Sequence, residues 1–490
     1  MIQRFAFALL LPFIFSPAFA EDPKSAAAPV SFDKTIRPLL LRHCQGCHQP
    51  AKMQGGLDVT SYQALRAGGD AGEGFIPGKP DESVLMEFIE GDKPRMPKGG
   101  MGIPFSKEQV ALIKQWIAEG ARDDTPAHRQ VRLASPEKPP EYQHAPVIPS
   151  LVYSPDGSQL AVAGYHEVLI HQADGQKLLH RLIGVSPRIQ SLAYSPDGRY
   201  LAAAGGSPGL FGELQIWDLQ AQDQPRIRHS IPIGNDTIYG VSFSPDNSQV
   251  AIGCSDNSAR VIRVQDGKTL LRVDHHQDWV LGSTFSVAEA IASATEGLEP
   301  GAEMRRREIR AVEGGKLHLV TVGRDRALKL TELDTGAFID DLNKLLDTLR
   351  CMAKHPTLEQ VACGGDDGIP RIYKIYRTKS RVANDEDFNL IRAFEKQPGV
   401  ITALAFTADG TRLLVGSTPS QPVRVYQTSD GKKLGELSGH VGGVFALAAH
   451  PRLAQVATAG HDGSVRLYDL NTFQLLHTFI PVPLLTKSQP

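Results

Sequence analysis

The feature that most constrains this chain is a turn that keeps returning. Ser154-Pro-Asp-Gly157 recurs as Ser195-Pro-Asp-Gly198 and Ser244-Pro-Asp-Asn247, then loosely as Thr407-Ala-Asp-Gly410. His355-Pro356 and His450-Pro451 occupy the same slot. The first three turns start 41 and 49 residues apart. An alternating apolar run precedes each turn. A small-residue run follows it, as in Ala161-Val-Ala-Gly164, Ala202-Ala-Ala-Gly205 and Ala457-Thr-Ala-Gly460. A third run ends near an aromatic or acidic residue, as in Gln215-Ile-Trp217-Asp218-Leu219 and Arg466-Leu-Tyr468-Asp469-Leu470. Such alternation marks strands. A strand unit repeating at this spacing cannot bury its own faces and has to stack on its neighbours. The stretch from about 146 to 482 holds about seven such units, and closing them into a ring leaves no long exposed sheet edge.

These units resemble WD40 repeats, which implies an all-β propeller of about seven blades. Gly439-His440, Thr458, Asp462 and Tyr468 match the structural polar network of that family, with Tyr in place of Trp. His276, Thr321 and Asp325 match it again, with Thr331 at the aromatic position, while Asp256 and Asp367 fit only its tight-turn position. A His/Asp/Thr set also suits nucleophilic catalysis. Its recurrence with the repeat assigns it to structure instead, because buried polar groups in strands need partners. No catalytic residue is assigned. Charged insertions near 286–314 and 377–390 read as solvated loops and account for the uneven spacing.

Ahead of the repeats the chain changes character. Cys44-Gln45-Gly46-Cys47-His48 is a C-x-x-C-H pentapeptide, the attachment signature of a c-type haem. Two thiols tie the porphyrin down, and the next histidine becomes the proximal iron ligand. A zinc site needs a second ligand pair, and a thioredoxin-like pair needs a surrounding βαβ pattern; neither accompanies the motif. The expected cofactor is one covalent haem c. The flanking segment reads as helical. Ser31 can cap a helix running through Ile36, Leu39 and Leu40, with Pro38 in its first turns. Ser106 with Gln109 forms a capping box for a helix over 107–119 that carries Leu112, Ile113, Trp116 and Ile117 on one stripe and stops at Gly120. A methionine thioether is a common sixth ligand. Met53 lies very close to His48 in sequence, and Met86 sits in an amphipathic segment that reads as packing. Met96, in a Pro/Gly-rich loop, is the expected distal ligand, with Met101 the alternative.

Residues 32 to 123 are similar to the planctomycete-type cytochrome c domain. The matching pieces are Ile36-Arg-Pro-Leu-Leu40, Cys44 to His48, Gly55-Gly-Leu57, Gly68-Gly-Asp70, Pro77-Gly78, Asp81-Glu-Ser-Val-Leu85, Met96-Pro97, Trp116-Ile117 and Gly120-Ala121. The resemblance implies a monohaem electron-transfer domain with the methionine of Met-Pro as distal ligand. Lys98 departs from it, standing where the family often has a second proline.

The expected organisation is a signal peptide over 1–20, a flexible leader over 21–30, a cytochrome c domain over 31–124, a linker over 125–145, the propeller over 146–482 and a tail over 483–490. Arg4, the apolar run from Phe5 to Phe15 and Ala18-Phe19-Ala20 carry the signal-peptide reading, with cleavage before Glu21. Export to the periplasm, without membrane insertion, is therefore expected. The formal charge of -2 is spread along the chain and gives no reason to expect nucleic acid as partner. Beyond the haem pair lie Cys254, Cys351 and Cys363. They read as small buried hydrophobes, or, for Cys351 and Cys363, as a bridge between neighbouring strands. The leading function is single-electron transfer by the haem domain, with the propeller docking a redox partner protein. One alternative is an oxidoreductase whose propeller binds a substrate and whose haem accepts its electrons, as in nitrite reductases that join a cytochrome c domain to a haem-bearing propeller. Another is a haem-based redox sensor.

Overall fold

Local sequence signals set the helices. The Ser31 hydroxyl accepts from Lys34 N–H at 2.9 Å and opens a helical turn over Phe32–Ile36. That turn runs into α1 (Arg37–His43), where Pro38 falls in the first turn and its missing N–H costs nothing. α2 (Tyr62–Ala67) is capped by Ser61 and α3 spans Val84–Ile89. α4 (Lys107–Ala118) carries the full Ser106/Gln109 capping box, and the chain leaves it through Gly120 at φ +96°. The buried stripe Ile113, Trp116 and Ile117 meets Phe32, Ile36, Leu40, Leu65 and Phe75 in one core, which also holds Met86 as a packing residue. In the computed structural model the described residues are 29–485, without 46, 50–51, 92–93, 98–103, 126–137, 222–223, 235, 288–316, 345–346, 377–386, 388 and 420–421; the side chains of 49, 52, 53 and 287 are likewise outside it. The expected signal peptide with its expected cleavage site, most of the expected leader, the side chain of Met53, Met101, the middle of the expected linker, most of both insertions and the end of the expected tail lie outside the described residues.

The second part is a seven-bladed β-propeller. Seven four-stranded antiparallel sheets follow one another along the chain, over 151–183, 188–233, 238–273, 280–341, 349–393, 401–437 and 444–479. Each sheet keeps its strands in sequence order, so every blade is one continuous stretch of chain. The second strands are sandwiched between neighbouring blades, which explains the small-residue runs: Ala202, Ala203 and Ala204 are all fully buried. The recurring turn is built by its own side chains. The Ser154 hydroxyl donates to Asp156 at 2.5 Å and accepts from Gln159 N–H at 2.9 Å, and Gly157 takes φ +73°. Ser195, Ser244 and Thr407 repeat the arrangement.

In the His-Pro slots the ring takes over this work and adds a bond to the next blade. His450 Nδ1 accepts from Arg452 and Leu453 N–H at 3.1 and 3.0 Å, and its Nε2 lies 3.0 Å from the Gly157 carbonyl of blade 1. His355 does the same towards Gly410 of blade 6. A Cβ at position 157 would fall 2.5 Å from the His450 ring, so glycine is required for the contact as well as for its φ. Blade 7 thus closes on blade 1.

Residues 138–145, which the sequence reading gives to the linker, are partly bound to blade 1. Tyr142 is buried; its hydroxyl donates to Glu167 at 2.7 Å, and Arg181 grips the same carboxylate at 2.7 and 2.8 Å while reaching the Pro140 carbonyl. Tyr142 also forms a parallel bridge with Leu484 of the expected tail. Cys351 and Cys363 sit on adjacent strands, but Cys351 pairs with Gly364 and Cys363 with Met352. They point to opposite faces of the sheet, into two separate cores, and all described cysteines are free.

Candidate functional site

The C-terminus of α1 shapes the C-x-x-C-H loop. Cys44 N–H closes on the Leu40 carbonyl at 2.8 Å, and both Cys47 and His48 N–H return to the Cys44 carbonyl at 3.1 Å. These bonds curl the loop so that both thiols and the imidazole belong to one tight turn, all three half-buried. Burial and the neighbouring Cys47 push the Cys44 thiol up to about 12. His48 Nδ1 lies 2.9 Å from the Gln54 carbonyl. A backbone carbonyl requires a donor, so the proton is on Nδ1 and Nε2 carries the lone pair. That is how a metal-ligating histidine is commonly oriented. Among the described residues no group of three or more His, Cys, Asp or Glu is placed to hold a bare metal ion.

Met96 follows α3, held by its N–H to the Phe88 carbonyl at 3.0 Å, and is half-buried. The turn carrying Cys44, Cys47 and His48 thus comes from the end of α1, and Met96 from a separate loop beyond α3. Gln45, inside the pentapeptide, donates to the Gly209 carbonyl at 2.9 Å, which puts the loop against the hairpin between Tyr200–Ser207 and Phe211–Asp218 of blade 2.

Residues 44–100 match the family described as Planctomycete cytochrome C, and residues 176–207, 227–263 and 431–469 match the WD domain, G-beta repeat. The chain thus joins a helical segment similar to the planctomycete cytochrome C family to a seven-bladed propeller that carries WD40 repeats. Each matched repeat starts in the outer strand of one blade and runs into the inner strands of the next, so the sequence repeat and the blade are out of step by one strand. Among curated proteins the chain is similar to periodic tryptophan protein 2 of Saccharomyces cerevisiae, at 21% identity over 54% of this chain and 29% of that protein. It is also similar to mouse WD repeat-containing protein 1, at 22% identity over 34% of this chain and 26% of that protein. A probable cytosolic Fe-S cluster assembly factor of Schizosaccharomyces pombe is 49% identical over 8% of this chain and 7% of its own length. The chain spans less than a third of the length of these relatives.

The WD40 polar network is present where the sequence placed it, except that Thr331, at the aromatic position, is buried with its hydroxyl unpartnered among the described residues. His276 bridges Asp325 and Thr321 at 2.8 Å each, and His440 bridges Asp462 at 3.1 Å and Thr458 at 2.7 Å. The Tyr468 hydroxyl donates to the Ser438 carbonyl at 2.6 Å. Burial acts to raise the Asp325 carboxyl, yet the His276 bond and charge hold it below its ordinary range. Asp256 and Asp367 hold Ser258 with Arg260 and Ile369 N–H with Arg371, as turn residues. Sequence reasoning missed the version in blade 2. There Glu213 is buried and accepts from Ser186 at 2.5 Å, from Gln215 at 2.9 Å and from Ser230, while the Trp217 indole donates to Gln215 at 3.1 Å. The available signal was Glu213-Leu-Gln215-Ile-Trp217, three polar or amphipathic side chains on one strand face.

Proposed function

We propose that the protein is an exported monohaem c-type cytochrome that transfers single electrons, and that its propeller docks the redox partner protein. The observation that carries the reading is the His48 Nδ1 contact to the Gln54 carbonyl beside two thiols in one turn. That donor set fits a porphyrin: Cys44 and Cys47 would hold it covalently, and His48 would present Nε2 to the iron, with Met96 as the sixth ligand. Bound there, the haem supplies reversible one-electron chemistry. The chain's own residues do the rest. The Gln54 carbonyl fixes the imidazole tautomer and raises its basicity. The Phe32, Tyr62, Phe75 and Trp116 cluster, with ring centroids 4.8 to 6.2 Å apart, gives the loop a rigid apolar base. The Arg4-to-Ala20 signal supports export, and c-type attachment takes place after export. WD40 relatives support a docking role for the propeller.

Intact mass of protein made with a c-type maturation system tests the reading. One covalent haem adduct is expected, lost in Cys44→Ala/Cys47→Ala. Met96→Ala should remove the weak far-red sulfur-to-iron band and lower the reduction potential, and Met101→Ala should do neither. Haem that extracts into acidified organic solvent would sink the covalent assignment. An exchange of the two methionine phenotypes would move the ligand to Met101.

A further inference from the structure

Six of the seven innermost strands carry a β-bulge at the same point, near the end where they begin. The register slips between Ile189 and Ser191, Ile238 and Gly240, Val280 and Gly282, Leu349 and Cys351, Ile401 and Ala403, and Val444 and Ala446. The residues skipped are Gln190, Tyr239, Leu281, Arg350, Thr402 and Phe445, and all six line one cavity of about 610 Å³ on the propeller axis. A bulge re-aims the side chain it displaces. Here it gives each of these six blades one side chain on the axis, free of the repeat's packing rules.

The cavity is rich in side chains that can donate hydrogen bonds. No Asp or Glu is among its lining residues. Ser150 and Ser191 line it too, and their oxygens accept from Leu192 and Val241 N–H at 3.0 and 3.2 Å, which leaves both hydroxyl protons to donate. Ser283 also lines it, is 8% exposed, and its hydroxyl has no partner among the described residues. Asp366 takes the Arg350 Nε and Nη2 edge of the guanidinium at 2.7 and 3.0 Å. That pair fixes the plane of the fork and leaves the Nη1 edge for a second acceptor. Leu281, Phe445 and Met352 add apolar wall, Gln190, Thr284 and Thr402 add polar side chains, and Lys354, paired with Glu359 at 3.1 Å, is a second cation in the lining.

We propose that this axial cavity binds a small organic anion, a carboxylate on an apolar body, with Arg350 as the anchoring fork and the serine hydroxyls as further donors. The site lies in the propeller and does not depend on the haem assignment. Titration calorimetry of the full chain with benzoate and with its neutral isostere benzamide tests it. Benzoate should bind at least about tenfold more tightly, and added salt should weaken benzoate alone. Arg350→Gln should cut benzoate affinity about tenfold or more and leave benzamide unchanged; Arg350→Lys should restore only part of the loss, because it returns the charge without the fork. Arg350 is on the surface, so an unchanged melting temperature will show that the variants are folded. Equal binding of the two probes, no binding of benzoate at millimolar concentration, or full affinity in Arg350→Gln would overturn the proposal.

Discussion

Replacing Arg181 by methionine should loosen the strap that binds residues 138–145 to blade 1. The Glu167 side chain is fully buried and its charge is balanced by the two Arg181 bonds of 2.7 and 2.8 Å. Without the guanidinium, that carboxylate keeps the Tyr142 hydroxyl and loses its counter-charge. Stranding one member of a buried pair costs about 3–5 kcal/mol. Tyr142→Phe removes the bond to the carboxylate, worth about 1.5–3 kcal/mol, and the one that the hydroxyl accepts from Tyr165 N–H at 3.1 Å, worth about 0.5–1.5 kcal/mol, but leaves the Arg181 counter-charge in place. For a body of this size a kcal/mol is worth about 2 °C, so Arg181→Met should lower the melting temperature by about 6–10 °C. Scanning calorimetry measures that drop, and hydrogen exchange across 138–145 reports whether the strap itself is released. Adding Glu167→Met to Arg181→Met should recover most of the loss, since apolar replacements remove the stranded charge. A single mutant within 1 kcal/mol of the parent, or a double mutant no better than the single, would refute the reasoning.

Acid should weaken the propeller. Burial first holds the His440 and His355 imidazoles below their ordinary value of 6.5. The folded state then binds fewer protons than the unfolded chain, so their contribution is complete above about pH 6.5 and is lost as pH falls towards the depressed folded values. Asp325 and Asp462, also held low, lose their contribution in the same direction below the ordinary carboxylate value of 3.8. Urea midpoints should fall steadily from pH 7 to 5; a rising midpoint contradicts this. Cys351 and Cys363, on opposite faces of one sheet, should both alkylate after denaturation without reductant, and a peptide containing the two in a disulfide would disprove the register.

What the sequence disclosed was what a few neighbouring residues decide. The Ser-Pro-Asp-Gly turn is legible because its hydroxyl, carboxylate and glycine satisfy one another within five residues. The Ser106 capping box and the two His/Thr/Asp sets were legible for similar reasons, being fixed by type and spacing. The His-Pro slots were visible, but their bond to the next blade was not, since His450 and Gly157 are 293 positions apart. Glu213 escaped notice because blade 2 solves the same burial problem with different residues. Tyr142 did too: nothing local marks it as belonging to Glu167, and a proline-rich neighbourhood pointed the other way. The pentapeptide raised the expectation of a haem by its spacing alone, while the tautomer of His48 needed the Gln54 carbonyl, which only the fold supplies.

Because every blade is a single uninterrupted stretch, the order in which the blades are connected is separable from the ring they form. No hydrogen-bonded sheet is shared between blade 7 and blade 1 among the described residues; they meet through packing, through the His450–Gly157, Gln455–Tyr153, Ile148–Gly460 and His171–Pro481 bonds, and through the Tyr142–Leu484 bridge. Opening the backbone in the connection between 183 and 188 and joining the old ends would leave all seven sheets whole. In a ring closed by a borrowed strand, most such cuts would move the weak seam along with the ends. Here the seam would become an ordinary blade–blade junction and another junction would take its place. The helical unit could in principle be re-sited around the rim in steps of one blade, which makes its present position beside blade 2 a separable variable of the design.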